Sequence, residues 1–312
     1  NAYATLLTRP SYLPGVILLA YSLHRHSPST PLVIMYTADT FPQQGVYALH
    51  NEARRSNCIV HPVEHLQIPP TSQGEKKGGM VAARFQDTFT KLRVFGLHEL
   101  GFTTVCFLDA DMLILHDPSD LIFGTRTQDW LDQTRGLGIL ATHACVCNLD
   151  ADAWAPASWT RDNCAYVQLT SPNGVPSVSA DPSSTHSLLN SGTFVFYSSK
   201  EIDDFVLQSF MSMSAEKLAG YQFPDQDFLT EVFTGKWASL NWRANALKTW
   251  RYWHPELWKA DGEPVVLHYI VDKPWAARVK KEGEELVAGY LGKDGVTHGW
   301  WWDVWARWVA ER

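Results

Sequence analysis

The chain has 312 residues, a formal charge of −7, 45% hydrophobic and 19% charged residues. That balance excludes a disordered chain and is long enough to bury a sizeable core. It also excludes an extended nucleic-acid surface, since nothing would neutralise a run of phosphates, while leaving room for a small anionic ligand held by a local cluster and a metal. The apolar run from Gly15 to Ala20 is far too short to span a membrane, and no signal peptide is visible. A cytoplasmic location is expected, or a Golgi or secretory lumen if an anchor precedes Asn1.

Taken in order, the first half alternates strand and helix patterns. Tyr3 to Leu7 reads as a strand and Leu13 to Leu23 as a helix. Pro31 to Tyr36 is a second strand, Pro42 to Arg55 a second helix and Cys58 to Val63 a third strand. A polar loop from Pro69 to Gly79 precedes a long helix from Arg84 to Leu100, and Thr103 to Leu108 is a strongly apolar strand. Such alternation predicts an α/β fold with a mainly parallel, doubly wound sheet, whose ligands bind beyond the carboxyl ends of the strands. The second half is less regular. Residues 144–189, rich in Pro, Ser, Asp and Asn, read as a long insertion. Phe194 to Tyr197 is a strand, Glu201 to Met213 and Gln226 to Phe233 are helices, and Val265 to His268 is a late strand. No repeat or linker divides the chain, so one domain over 1–312 with a mixed sheet is expected.

Of five cysteines, Cys58 and Cys106 sit in apolar runs and read as core residues. Cys145, Cys147 and Cys164 cluster in the insertion but fall one ligand short of a closed structural zinc site. The odd count argues against a disulfide framework, which favours a reducing compartment.

Two carboxylates, Asp109 and Asp111, follow the apolar run Val105-Cys106-Phe107-Leu108. Residues two apart on an extended chain point the same way, so both can reach one hard cation. Alone, this DxD is equally an acidic strand end. His268 ends an apolar run, where a neutral imidazole would complete a carboxylate metal site or sit as a core histidine. Lys273 offers a point charge to a phosphate oxygen, and Pro274 stiffens the turn behind it. Asn190-Ser191-Gly192, placed ahead of a strand, suits close approach of a hydroxylated ligand or a simple turn. Phe223-Pro224-Asp225-Gln226-Asp227 reads as a helix start, whose polar side chains serve a site or only cap the helix. Lys91 lies mid-helix, where a solvated lysine is the ordinary outcome. Eleven of the fourteen tryptophans fall from Trp237 onward. Trp250, Trp253 and Trp258 are candidates for an acceptor groove, whereas Trp301, Trp305 and Trp308 have the spacing of a packed C-terminal helix.

In order and spacing, these pieces resemble glycosyltransferase family eight, the glycogenin and galactinol synthase group. The resemblance runs from Tyr3-Ala4-Thr5-Leu6-Leu7-Thr8, Tyr12 and Gly15 through Thr90-Lys91-Leu92, Asp109-Ala110-Asp111 and Asn190-Ser191-Gly192. Asp225-Gln226 and His268 to Lys273-Pro274-Trp275 complete it. Gln226-Asp227-Phe228-Leu229, Trp253-His254-Pro255-Glu256, the cysteine-bearing insertion and Trp301-Trp302-Asp303 look closer to galactinol synthases. The interval from His268 to Lys273 is shorter than in either relative, and the insertion departs in length and residues.

The resemblance implies a GT-A fold with a nucleotide-binding half (1–115), a sugar and acceptor half (116–312), and a retaining hexosyltransferase using a UDP-sugar. Leu7 and Thr8 would hold the uracil and Tyr12 would stack on it. Asp109, Asp111 and His268 would bind Mn²⁺, with Mg²⁺ the alternative, and Ala110, Asn190, Ser191, Gly192 and Lys273 would line the donor site. Lys91, Asp225 and Gln226 would act at the sugar. The partners implied are a UDP-sugar (galactose, glucose or N-acetylglucosamine) and a small polyol or glycan acceptor, with no nucleic acid and with room for a homodimer. Two alternatives are a sugar-nucleotide-binding protein with weak hydrolysis and a DxD phosphatase of the haloacid dehalogenase type. The phosphatase motif, however, sits on an early strand and is followed by Thr or Val, where Met112 stands here.

Overall fold

The computed structural model describes residues 1–68, 87–167, 169 and 173–312. The loop expected from Pro69 to Gly79 and the start of the helix expected from Arg84 lie outside them.

Strands β1 (Ala2–Leu7), β2 (Leu32–Thr37), β3 (Cys58–Val63) and β4 (Thr104–Leu108) pair in parallel, in the order β3-β2-β1-β4. β1, β2 and β4 are nearly continuous apolar runs because both of their faces are covered. Beyond β4 the sheet turns mixed. β7 (Leu189–Tyr197) runs antiparallel both to β4 and to β6 (Ile139–His143), and β8 (Trp237–Ser239) closes the edge parallel to β6.

Alternate β4 residues feed two cores. Cys106 and Leu108 face helix α1 (Leu13–His26), whose residues from Gly15 to Leu23 are all buried. Val105 and Phe107 face Phe95, Phe194 and Phe196 on the other side. Phe95 belongs to a 3₁₀ helix, Thr88–Leu100, where the sequence predicts an α-helix. Its tighter winding still buries Phe89, Lys91, Leu92 and Phe95 against the sheet.

A second, small sheet matters most for the site. β5 (Met112–Ile114) pairs antiparallel with β10 (Val266–His268), which lies beside β9 (Ala246–Leu247). The register sets His268 opposite Met112, and the Tyr269 N–H donates to the Asp111 carbonyl at 2.9 Å. A segment more than 150 residues along the chain is thereby fixed beside the DxD.

The C-terminal helix Gly295–Glu311 packs Trp301 into the α1 side of the sheet, with Trp305 stacked on it at 5.3 Å, as the tryptophan spacing predicts. Its end is anchored by buried Glu52 of α2 (Gln43–Ala53). Glu52 accepts from Trp308 Nε1 (2.9 Å), Arg312 Nη2 (2.7 Å) and Ser56 Oγ (2.5 Å). Burial opposes the charge on Glu52, but these donors win and hold its carboxyl below its ordinary range. A folded-state pKa lowered in this way stabilises above the unfolded value and is lost as pH falls through the folded one. Glu52→Gln is therefore expected to lose about 1–3 kcal/mol near neutral pH. In denaturant unfolding, the gap from wild type should narrow as pH drops below the free carboxylate value of 4.5.

Candidate active site

At the carboxyl edge of β4 the chain turns into β5, and Asp109 and Asp111 flank that turn. Asp109, Asp111 and His268 offer ligand atoms that all lie within 4.8 Å of one another. His268 Nε2 stands 3.3 Å from Asp111 Oδ1 and 3.7 Å from Asp109 Oδ2. Its Nδ1–H donates to Asn245 Oδ1 at 2.9 Å, which leaves the Nε2 lone pair for a cation. Two carboxylates and one imidazole thus form an oxygen-and-nitrogen donor set suited to a divalent ion such as Mn²⁺ or Mg²⁺.

Asn245 also ties this imidazole to the sheet. Its Nδ2 donates to Asn190 Oδ1 at 2.7 Å and to Thr142 Oγ1 at 2.8 Å. Asn190 Oδ1 in turn accepts the Gly192 N–H at 3.0 Å, and the Gly192 carbonyl accepts the Asp109 N–H at 2.9 Å. Asn190, Ser191 and Gly192 therefore lie within β7, correcting the expectation of a turn ahead of a strand. The register shift between Ala141 and Thr142 lets β7 run past β6 here. Only glycine fits at 192, where a Cβ would lie 2.6 Å from His268 Cε1 and 2.8 Å from its Nδ1. Gly15 serves a similar close approach, where a Cβ would collide with the Ala110 carbonyl and with Trp275 Cη2 at 2.6 Å.

Two lysines balance the acids. Lys91, which is not the solvated residue its mid-helix position suggests, is buried with Nζ 2.9 Å from Asp109 Oδ1 and 2.5 Å from Asp225 Oδ2. It also donates to the Ser191 carbonyl at 3.3 Å, and Ser191 Oγ donates to Asp225 Oδ2 at 2.7 Å. Lys273 donates to Asp111 and to the Tyr269 carbonyl, the latter at 2.7 Å. Burial opposes both ammonium charges, yet Asp109 and Asp225 raise the Lys91 pKa and Asp111 raises that of Lys273. The two DxD carboxylates diverge. Desolvation dominates at Asp109 and pushes its pKa up, whereas at Asp111 the Lys273 ammonium helps overcome burial and hold it far below the carboxylate range.

Of the remaining candidates, Tyr12 packs edge-on to Trp275 at 5.7 Å, with Lys273 Nζ 5.7 Å above its ring. Leu7 and Thr8 sit at the end of β1, on the same sheet edge as Asp109. Gln226 follows Asp225 in the helix Pro224–Val232 and is half-buried. Trp250 is not free for an acceptor groove, because it is fully buried between Tyr166 and Trp242. The sequence reading missed Asn245 and Thr142, whose only signal is their position near strand ends. It also missed His254, which joins the three clustered cysteines.

The profile of Glycosyl transferase family 8 matches residues 5–278. A glycogenin of Cryptococcus neoformans var. grubii is 34% identical over 132 residues, spanning 40% of this chain and 13% of that protein. Among solved structures, the galactosyltransferase LgtC, bound to donor and acceptor sugar analogs, superposes with a TM-score of 0.56 at 15% identity. The match covers 96% of this chain and 95% of LgtC. GlyE of Streptococcus pneumoniae TIGR4 gives 0.55 at 16% identity, over 99% of this chain and 63% of that one. The chain thus spans a small part of the curated relative and under two thirds of GlyE. The fold is the GT-A fold of these glycosyltransferases.

The 192 contact sets a direct test of the site's packing. Gly192→Ala is expected to destabilise the protein by about 1–3 kcal/mol in denaturant unfolding, since neither the imidazole nor the strand can yield freely. A variant as stable as wild type would show that the imidazole is not held against β7.

Proposed function

This chain belongs to glycosyl transferase family 8, and on that premise we propose that it is a metal-dependent transferase moving a hexosyl group from a UDP-sugar to an acceptor hydroxyl with retention of configuration. The observation that carries the reading is the trio Asp109, Asp111 and His268, with His268 Nε2 turned toward both carboxylates. Family membership sets the phosphatase alternative aside. Residues 1–115 form the nucleotide half and 116–312 the sugar and acceptor half.

Asp109, Asp111 and His268 would hold Mn²⁺, or Mg²⁺, which would supply positive charge to the donor diphosphate. Leu7 and Thr8 take the uracil at the end of β1, and Tyr12 stacks on the base. Lys273 exchanges its contact with Asp111 for a phosphate oxygen and stabilises the leaving UDP. Asn190, Ser191 and Gly192 line the donor floor, with Ala110 beside the ribose. Lys91 and Ser191 fix the Asp225 carboxylate by hydrogen bonds at one oxygen, which orients it toward the sugar. Asp225 and Gln226 stabilise the oxocarbenium-like state while the acceptor oxygen attacks from the leaving-group side. The acceptor proton passes to the departing phosphate as the glycosidic bond to UDP breaks and the new one forms. The likeness to galactinol synthases in residues such as Trp253-His254-Pro255-Glu256 favours a small polyol acceptor, with a glycan the other choice.

The test is UDP release from UDP-galactose, UDP-glucose and UDP-N-acetylglucosamine with Mn²⁺, first without acceptor and then with polyols. One donor is expected to stand out, with release abolished by EDTA. Release that is absent for every donor, or indifferent to chelator, would overturn the proposal. Asp225→Ala and Gln226→Ala are each expected to lower kcat about 100-fold or more. Turnover within a few-fold of wild type would remove them from the mechanism. Asn245→Ala, which frees the His268 ring, is expected to weaken Mn²⁺ binding by about 10–100-fold in a titration.

A further inference from the structure

A second ligand cluster lies away from the DxD. Cys145, Cys147, Cys164 and His254 converge so that one ligand atom from each lies within 4.8 Å of the others. His254 Nε2 is 3.1 Å from Cys147 Sγ, 3.6 Å from Cys164 Sγ and 3.7 Å from Cys145 Sγ. A tetrahedral zinc ion, with Zn–S about 2.3 Å and Zn–N about 2.0 Å, sets sulfur and nitrogen about 3.5 Å apart. The three observed separations bracket that value. None of the cysteines is in a disulfide, and His254, Cys147 and Cys164 are buried. The imidazole is oriented for a metal. Its Nδ1–H donates to Glu256 Oε1 at 3.1 Å, and Arg161 Nη2 holds that carboxylate at 2.8 Å, so Nε2 faces three sulfurs with its lone pair. A carboxylate behind the ligating histidine is the usual outer support of a zinc site.

We propose that Cys145, Cys147, Cys164 and His254 form a structural Zn²⁺ site that clamps the insertion to the segment after Trp250. Four protein ligands leave no open position, so the ion is structural rather than catalytic. Three thiolates and a neutral imidazole around Zn²⁺ carry one net negative charge, and the Arg161 guanidinium lies close by to offset it. A disulfide between two of the cysteines would strand the third thiol and leave the buried Nε2 without a strong partner. The clamp closes the loop 148–163. Trp159 of that loop stacks on Phe223 at 6.0 Å and 8°, and Trp154 meets the same ring edge-on at 5.7 Å. Phe223 caps the helix that carries Asp225 and Gln226. The ion would therefore hold an aromatic wall against the start of that helix.

The experiment measures metal in the intact protein, independently of any transferase activity. Protein purified without chelator is expected to carry one zinc per chain, retained in Asp109→Asn and released when a mercurial titrates the thiols. Replacement by Co²⁺ is expected to give thiolate-to-cobalt charge-transfer absorption and the intense visible bands of a tetrahedral site. Cys145→Ser, at the most accessible ligand, should lose about a third of the charge-transfer intensity while the chain stays folded. Zinc removal should also open residues 148–163 to limited proteolysis. A folded wild-type protein without thiol-bound metal, a Cys145–Cys164 disulfide in mass spectrometry, or a cobalt spectrum untouched by Cys145→Ser would each overturn the proposal.

Discussion

Gathering three carboxylates in one place, with Asp111 and Asp225 buried and Asp109 half-buried, is the constraint around which the site is built. Asp109, Asp111 and Asp225 lie within one network, and an unpaired buried carboxylate costs several kcal/mol. Among the described residues, two ammonium groups answer them, from Lys91 and Lys273. Each partner comes from a different element. Lys91 rides the 3₁₀ helix, Asp225 opens the helix Pro224–Val232, His268 ends β10 and Lys273 sits in the turn beyond it. The fold is in this sense a device for bringing these four segments to the edge of β4. The two carboxylates and the imidazole at that edge make a donor set suited to a divalent ion.

The two lysines play unequal parts. Lys91 is locked by Asp109, Asp225 and two atoms of Ser191, and it lies over the Phe107 ring at 5.0 Å, so it has no alternative position. Lys273 is held by one carboxylate and one carbonyl on a short turn stiffened by Pro274. Lys91 thus sets the geometry of Asp225, whereas Lys273 is the less constrained of the two lysines.

The sequence exposed those parts whose physics is local. Apolar runs buried on both faces marked β1, β2 and β4, and the carboxylates just past β4 marked the site edge. β6 was not seen because Ile139–His143 is five residues long and follows a glycine-rich turn, with no alternation to betray it. Asn190 to Gly192 suit either close approach of a hydroxylated ligand or a turn, whereas here they lie within β7, with Gly192 under a ring that leaves no space for a side chain. The 3₁₀ winding of Thr88–Leu100 is not expected from sequence, because runs of that length are usually α-helical. Asn245 and His254 were invisible for a different reason. Their roles are created by pairing with residues 55 and about 107 positions away, and nothing near them in the chain signals it.

His268 and His254 share one device: each donates its Nδ1–H to an oxygen and turns Nε2 toward a cluster of anionic ligands. What differs is the softness of the company. Carboxylate oxygens around His268 suit hard ions that exchange with substrate, whereas thiolates around His254 bind zinc far more tightly than manganese or magnesium. The two donor sets therefore differ in the ions they suit, with metal availability deciding alongside donor chemistry which ion each takes. The sorting also follows the needs of each place. The Asp109, Asp111 and His268 set supplies three ligands and so leaves coordination positions open. The base of an insertion that presses Trp159 on Phe223 gains from a closed set that never exchanges.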